Sequence, residues 1–499
     1  MGIKAFVSSV LSKIVSGRTI SESLNANYQQ WITLGDILLR AKDTQYGRTH
    51  HFSNIRNYSD YRDAVKINDY EGFKPYIDKI SKGERCVLWP GMPLYFAKTS
   101  GTTSGIKYIP ITKESINNHI NGARNALLMY IYKTGNAAFT DHKMIFLQGS
   151  PILEKHGVVN SGRLSGIVAH HVPFYLQKNR LPSWETNTID DWETKVNRIV
   201  DETIDQRMSL ISGIPSWLRM YFEILVKRSG KTVGDLFPDL SLIVYGGVNF
   251  EPYKPVFSEL LGRSVDTLQL FPASEGFFAY QDEFPSDDML LNTNSGIFYE
   301  FVPVDKISDP EKARIPLEDV KTGINYAMIL TSNAGLYSYS IGDSVAFTSL
   351  QPYRIKVTGR TAHYISAFGE HVIGSEVEGA LAAALAKSDA RVSEFTVAPF
   401  IEQRSKPYHE WLVEFEKLPT SLDDFSKILD NEMRRQNIYY DDLIRGNVLD
   451  KLKITVVESG IFNLYMKSKG MLGGQNKLPR LSNDRKIAEA IKELSFLPL

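Results

Sequence analysis

The chain has a single cysteine, Cys86, among its 499 residues. One thiol forms no intrachain disulfide and no cysteine cluster for zinc, which fits a reducing compartment. Charge excess is missing too: Lys plus Arg total 57, and Asp plus Glu total 57. Without net charge there is no global field to draw nucleic acid or an anionic membrane, so recognition by charge must be local. No basic stripe interleaved with aromatics is present. Uninterrupted apolar runs are also too short to span a bilayer. At the start of the chain Phe6, Val7, Val10, Leu11, Ile14 and Val15 recur at helical spacing, but Lys4 and Lys13 interrupt them. That pattern argues against a signal-peptide core and predicts a docked amphipathic helix. The expectation is a cytoplasmic protein, monomer or weak homodimer, with no nucleic acid and no membrane as partner.

What is present is ample core material: 43% hydrophobic residues and 11% aromatics exclude disorder. A chain longer than roughly 250–300 residues outgrows a single core, so two domains are expected. Strand-like apolar runs fall at Met144–Leu147, Met208–Ile211, Leu242–Tyr245, Leu268–Phe271, Ile297–Val304 and Ala327–Leu330. Helix-length segments such as Trp192–Arg207 and Ser216–Ser229 separate some of them. This alternation predicts an α/β domain with a largely parallel sheet, and the closely spaced later strands predict an antiparallel part. Character changes near Thr358. Ser375 and Glu378 form an S-x-x-E capping box before an alanine-rich helix. Strands follow at Glu394–Ile401 and Glu410–Glu416, then a helix over Leu422–Gln436, a strand at Lys453–Glu458 and a helix after Asn483. The expected division is a large N-terminal α/β domain over residues 1–357 and a small α+β domain over 358–499.

The segment Thr99-Ser100-Gly101-Thr102-Thr103-Ser104-Gly105-Ile106-Lys107 carries the most chemistry. Glycines let backbone approach an anion, and hydroxyls with free N–H groups can surround phosphate oxygens. A Ser/Gly-rich surface loop fits the same composition, and the spacing G-x-x-x-x-G-K-[ST] is absent. His50-His51 and His170-His171 lack metal-ligand spacing. Asp287-Asp288 and Asp441-Asp442 read as solvated acidic turns. No G-x-S-x-G nucleophile elbow occurs.

The order Thr-Ser-Gly-Thr-Thr resembles the phosphate loop of the adenylate-forming superfamily, which includes acyl-CoA synthetases and luciferases. Within it, the chain resembles the Gretchen Hagen three (auxin-responsive) family of acyl-acid amido synthetases. The matching features run in family order: Gly213-Ile214-Pro215-Ser216-Trp217, Ser274-Glu275-Gly276, Phe298-Tyr299-Glu300-Phe301, Ala334 to Tyr339, Ile341-Gly342-Asp343, Gly359-Arg360 and Gln475 to Arg480. The resemblance implies ATP with Mg²⁺, Thr99 and Ser100 to Ser104 on the phosphates, and Glu275 toward the metal ion. It places Gly246, Gly247, Val248, Phe271, Ser274 and Asp343 around adenine and ribose. Arg360 and Lys477 take catalytic roles, with Lys477 on a small mobile domain that rotates about the segment near Arg360. Phe271 stands where the family has tyrosine, and Ser340 where it has arginine. Arg124, alone among apolar and small residues in the helix after the phosphate segment, is a further candidate for the acid's carboxylate.

Adenylation needs neither a nucleophilic side chain nor a strong base, because a carboxylate is already ionised at neutral pH. The enzyme positions two anions and stabilises transition-state charge. The expected activity joins a small carboxylic acid to an amino acid through an acyl-AMP. The alternatives are an acyl-CoA ligase sharing the first step, and a non-catalytic acid- and nucleotide-binding protein.

Overall fold

A computed structural model describes residues 2–99, 106–172, 178–189, 191–247, 250, 253–307, 309–360, 364–365, 367–370, 372–402, 405–469 and 478–495. Among them a 12-stranded sheet forms the frame of the large domain. One half is parallel: Asp266–Ala273, Leu242–Gly246, Met208–Ser212, Lys143–Phe146 and Arg180–Leu181 lie side by side in that order. The other half is antiparallel. It starts at Gly276–Gln281 and continues through Met289–Leu291, Tyr353–Arg360, Leu336–Leu350, Asn325–Ser332, Ile297–Pro303 and Ile315–Pro316. Both expected sheet types are therefore present, joined as one sheet.

The central parallel strands Met208–Ser212 and Leu242–Gly246 are largely apolar and buried because both faces are covered. Ile211 and Ile243 enter a cluster with helices Trp192–Thr203, Pro215–Ser229 and Lys254–Leu261. Their strand neighbours Leu210, Leu242 and Val244 point the other way, onto the helix Lys113–Thr134. A separate four-stranded sheet runs Lys107–Ile111, Tyr95–Thr99, Val159–Gly162, Glu154–His156. In it Tyr95–Thr99 pairs antiparallel on one side and parallel on the other.

The expected N-terminal helix exists, as Ile3–Leu24, but it docks by the opposite face. Ala5, Ser12, Ser16 and Ser23 are buried, whereas Phe6, Val7, Val10, Leu11 and Ile14 are exposed. Small residues let the helix lie close to Lys113–Thr134, and the Asp141 carboxylate accepts from Gly2 N at 2.7 Å.

The last large-domain strand runs to Arg360, so the expected junction at 357/358 falls within it. Beyond it the small domain has helix Gly374–Ala386 and the sheet Arg391–Phe400, Tyr408–Lys417, Lys453–Val457, with helices Leu422–Gln436, Ile438–Arg445, Ile461–Ser468 and Lys486–Ser495. The helix expected after the capping box starts at Gly374 rather than after Ser375, and Glu378 reaches Arg480 at 3.2 Å. Asp441 and Asp442 are not a solvated turn. They lie in the helix Ile438–Arg445, with Asp441 2.7 Å from Arg434 and Asp442 paired with Arg163 of the large domain.

Candidate active site

Open parallel sheets offer ligands the region outside the carboxyl ends of their strands, and the motif residues collect there. Strand Met208–Ser212 runs into Gly213-Ile214, and Pro215 opens the helix Pro215–Ser229. Its neighbour Leu242–Gly246 ends at Gly246-Gly247. The next strand, Asp266–Ala273, ends at Ser274-Glu275, a two-residue turn that returns the chain as the antiparallel strand Gly276–Gln281. Gly213 N donates to Val244 O at 3.1 Å, which keeps the first two ends in step. Ser274 and Glu275 stand at the seam between the two halves of the sheet.

Glycine is required at the middle strand end. A Cβ on Gly246 would lie 2.5 Å from the Leu270 carbonyl oxygen, and Gly247 has φ +83°. A side chain is excluded at the first position and strained at the second. The strand therefore ends in bare peptide that a ligand can approach.

Asp343 sits at a fault in the antiparallel ladder. Register between Asn325–Ser332 and Leu336–Leu350 slips between Ala327 and Ile329, so that Ile341, Gly342 and Asp343 together oppose Met328. Bulges of this kind re-aim side chains and are enriched beside active sites. Across the next ladder, Asp343 pairs in register with Arg360. Two residues from separate motifs thus face each other. The Arg360 side chain lies outside the described residues, as do Ser100, Gly101, Thr102, Thr103, Ser104, Val248 and Lys477.

Thr99 is the last residue of its strand. The parallel neighbour stops pairing at Ala97 with Gly162, so from Lys98 onward that edge has lost its partner strand. The small domain takes over. Tyr439, on the helix Ile438–Arg445, donates its hydroxyl to the Lys98 carbonyl at 2.9 Å. The Arg163 guanidinium lies over the Tyr439 ring, 5.0 Å from its centroid, and also pairs with Asp442. Burial raises the Tyr439 phenol above its ordinary pKa, and Arg163, Thr99 and Glu275 also act on it. Tyr439 therefore stands among three large-domain site residues.

A second small-domain element approaches nearby. A Cβ on Gly369 would lie 3.3 Å from Ile214 Cδ1, and Tyr253 donates to the Ala367 carbonyl at 2.8 Å. The turn is braced by Glu370, which accepts from Phe368 N at 2.8 Å and lies 2.7 Å from His409 Nε2.

Sequence reasoning misses Arg163 and Tyr439. Neither has a local signal, and they meet only because the small domain docks on a strand end remote in sequence. Two predicted residues do not join the cluster. Phe271 is buried among core residues, its ring edge-on to Phe278 at 5.1 Å. Arg124 is exposed, with Nη2 3.1 Å from the Asn125 side-chain oxygen.

Among the described residues no group of three or more His, Cys, Asp or Glu side chains could hold a metal ion by itself. One carboxylate, Glu275, at a turn beside an expected phosphate site suits Mg²⁺, which is commonly bound by one or two carboxylates plus phosphate oxygens.

Comparison with known proteins agrees across the chain. The GH3 family N-terminal, central and C-terminal domains match residues 20–186, 290–360 and 375–486. The indole-3-acetic acid-amido synthetase GH3.3 of Arabidopsis thaliana is 22% identical over 551 aligned positions, covering 94% of this chain and 91% of that protein. The jasmonoyl–L-amino acid synthetase JAR6 of Nicotiana attenuata is 22% identical, covering 96% and 95%. The solved AtGH3.15 acyl acid amido synthetase in complex with 2,4-DB shares the fold, with TM-score 0.62 and 17% identity over 97% of this chain and 96% of that one. With more than half its length matched by these domains, the chain belongs to the GH3 family, and with relatives named as amido synthetases it is a ligase.

Proposed function

We propose that this ligase uses ATP and Mg²⁺ to activate a small organic acid as its acyl-AMP, releasing pyrophosphate, and then passes the acyl group to the amine of an amino acid. The observation that carries the reading is the placing of Gly246-Gly247 and Ser274-Glu275 at neighbouring strand ends, with Thr99 and Glu275 both acting on Tyr439 of the small domain. Bare peptide at Gly246-Gly247 suits adenine, and Val248 is assigned beside it. The Asp343 carboxylate can accept both ribose hydroxyls. Thr99 and the hydroxyls of Ser100 to Ser104 are assigned to the phosphates, and Arg360 to the ribose or α-phosphate.

When bound at Glu275, Mg²⁺ supplies neutralisation of phosphate charge. The acid's carboxylate attacks the α-phosphorus in line, with Lys477 placed against the charge that gathers there. The small domain then rotates, and a neutral amine attacks the acyl carbonyl, breaking the acyl–phosphate bond so that AMP leaves and the amine gives up a proton. The relatives' names end in amide formation with amino acids or in acyl-acid amido synthesis, which favours an amine over the thiol of coenzyme A as acceptor. The acid belongs to the class of small carboxylic acids that those names contain.

The test is acid-dependent ATP–pyrophosphate exchange over aryl and aliphatic acids, followed by a screen of amino acids against coenzyme A. Exchange with at least one acid, and an amide product from it, is expected. No exchange with any acid leaves the non-catalytic reading. Thioester without amide makes the chain an acyl-CoA ligase.

A further inference from the structure

The N-terminal helix Ile3–Leu24 presents an uncommon surface. Ile3, Phe6, Val7, Val10, Leu11 and Ile14 are between 42% and 85% exposed, and they recur at the i, i+3, i+4 spacing of one helical face. Scattered exposed apolar residues are ordinary, but a contiguous stripe of large ones marks an interaction surface. The stripe is not a fraying end. Asp141 accepts from Gly2 N and Ala5 N, at 2.7 and 3.2 Å, and fixes the first turn. Ala5, Val15 and Ile20 pack into the cluster around the helix Lys113–Thr134. The helix is thus a fixed strut of roughly 33 Å, at about 1.5 Å per residue, with its apolar face turned outward.

The charges choose the occupant. The helix carries Lys4, Lys13 and Arg18, of which Arg18 pairs with Glu22 at 2.7 Å. All three are exposed and flank the stripe. A second copy packed face to face would bring these like charges together, which opposes self-association. An anionic surface would attract Lys4 and Lys13. An apolar face about four turns long, edged with basic residues on a helix too short in apolar length to cross a bilayer, is the pattern of helices that lie in the membrane interface. Among the described residues no helix is long and apolar enough to cross a membrane.

We infer that the helix Ile3–Leu24 docks this enzyme, in plane, on an anionic lipid surface. Phe6, Val7, Val10 and Ile14 would enter the headgroup region by about 5–10 Å, and Lys4 and Lys13 would meet lipid phosphates and carboxylates. The local basic edge acts where the neutral whole-chain charge does not, because such attraction falls off within a Debye length. Placement at a membrane would bring the enzyme to acids that partition into lipid.

The experiment uses the full chain and sedimentation with vesicles of phosphatidylcholine alone or mixed with phosphatidylserine. Expected is binding to the mixed vesicles, weakened by high salt and reduced about tenfold by Lys4→Glu with Lys13→Glu. Phe6→Ser with Val10→Ser should abolish binding. Both pairs sit at exposed positions, so thermal unfolding should match wild type. No binding, or equal binding to both vesicle types by wild type and the charge variant, overturns the proposal. A doubled mass in solution that returns to monomer in Phe6→Ser with Val10→Ser would assign the stripe to a second copy and overturn it as well. None of these readouts depends on catalysis, so they stand apart from the exchange assay.

Discussion

The antiparallel and parallel halves of the large sheet both carry residues that mark the family, but they use them differently. In the antiparallel half Glu300 and Arg314 are fully buried, with Arg314 Nε 3.4 Å from Glu300 Oε1. Ser338, at φ +43°, donates to Glu300 Oε2 at 2.9 Å and accepts from Arg314 Nη1 at 2.8 Å. Tyr58 donates to Glu300 Oε1 at 3.0 Å, and Arg314 also donates to the Arg62 and Val65 carbonyls. Burial pushes the Glu300 carboxyl up from its ordinary pKa, and the Arg314 charge opposes that. The network is closed on itself. In the parallel half the marked residues fall instead at strand ends, where glycines leave backbone bare and elements from both domains converge. Motif residues of this family therefore divide into those that tie the antiparallel strands together, such as Glu300 and Ser338, and those at bare strand ends, such as Gly246-Gly247 and Glu275.

The largest effect should come from opening the closed network. Arg314→Met leaves the Glu300 carboxylate buried beside a neutral side chain, a change that costs about 3–5 kcal/mol. Urea unfolding should show that loss, and Glu300→Gln added to it should recover part. Exchange activity per folded molecule should stay near wild type. A variant with normal stability and no exchange would move the network into the site and collapse the distinction.

The opposite pattern is expected at the seam. Glu275→Ala should slow ATP–pyrophosphate exchange by about 10²–10³, or roughly 3–4 kcal/mol in activation, as for loss of one preorganised electrostatic group. Urea stability should change by less than about 0.5 kcal/mol, since Glu275 is a partly exposed turn residue. Equal losses of stability and rate would make Glu275 a fold residue like Glu300.

How far these roles were legible follows from the same division. Apolar runs such as Met208–Ile211 and Leu242–Tyr245 predict buried strands because burial on both faces demands them, and the helix Leu422–Gln436 matches its periodicity to the residue. Motif order is legible too, since Gly246-Gly247 and Ser274-Glu275 mark strand ends locally. The docking face of Ile3–Leu24 is not legible in that way: hydrophobic periodicity identifies an apolar face but not whether protein covers it. Arg163, Tyr439 and Asp442 carry no local mark at all, and Asp441-Asp442 reads as a turn because two of its arginine partners, Arg434 and Arg163, lie on other elements. Contacts between domains are set by three-dimensional docking, which pairwise spacing does not encode.

The smallest effect concerns that docking. Tyr439→Phe removes one hydroxyl and keeps the ring under Arg163, so only the hydrogen bond to the Lys98 carbonyl and the hydroxyl's action on Thr99 are lost. A bond of this kind contributes about 0.5–1.5 kcal/mol net, a factor of roughly two to ten. The contact exists in one placement of the small domain. If that domain takes different placements for adenylation and for amide formation, the loss must fall on one step. Pre-steady-state adenylation and acyl transfer from preformed acyl-AMP should therefore separate, one slowed several-fold and the other unchanged, at an unaltered unfolding midpoint. Asp442→Asn should slow the same step by less, since its pair with Arg163 is partly exposed and worth about 0–1 kcal/mol. Equal slowing of both steps by Tyr439→Phe would mean the hydroxyl merely stabilises the small domain, and the strand end at Thr99 would then belong with the closed network rather than with the chemistry.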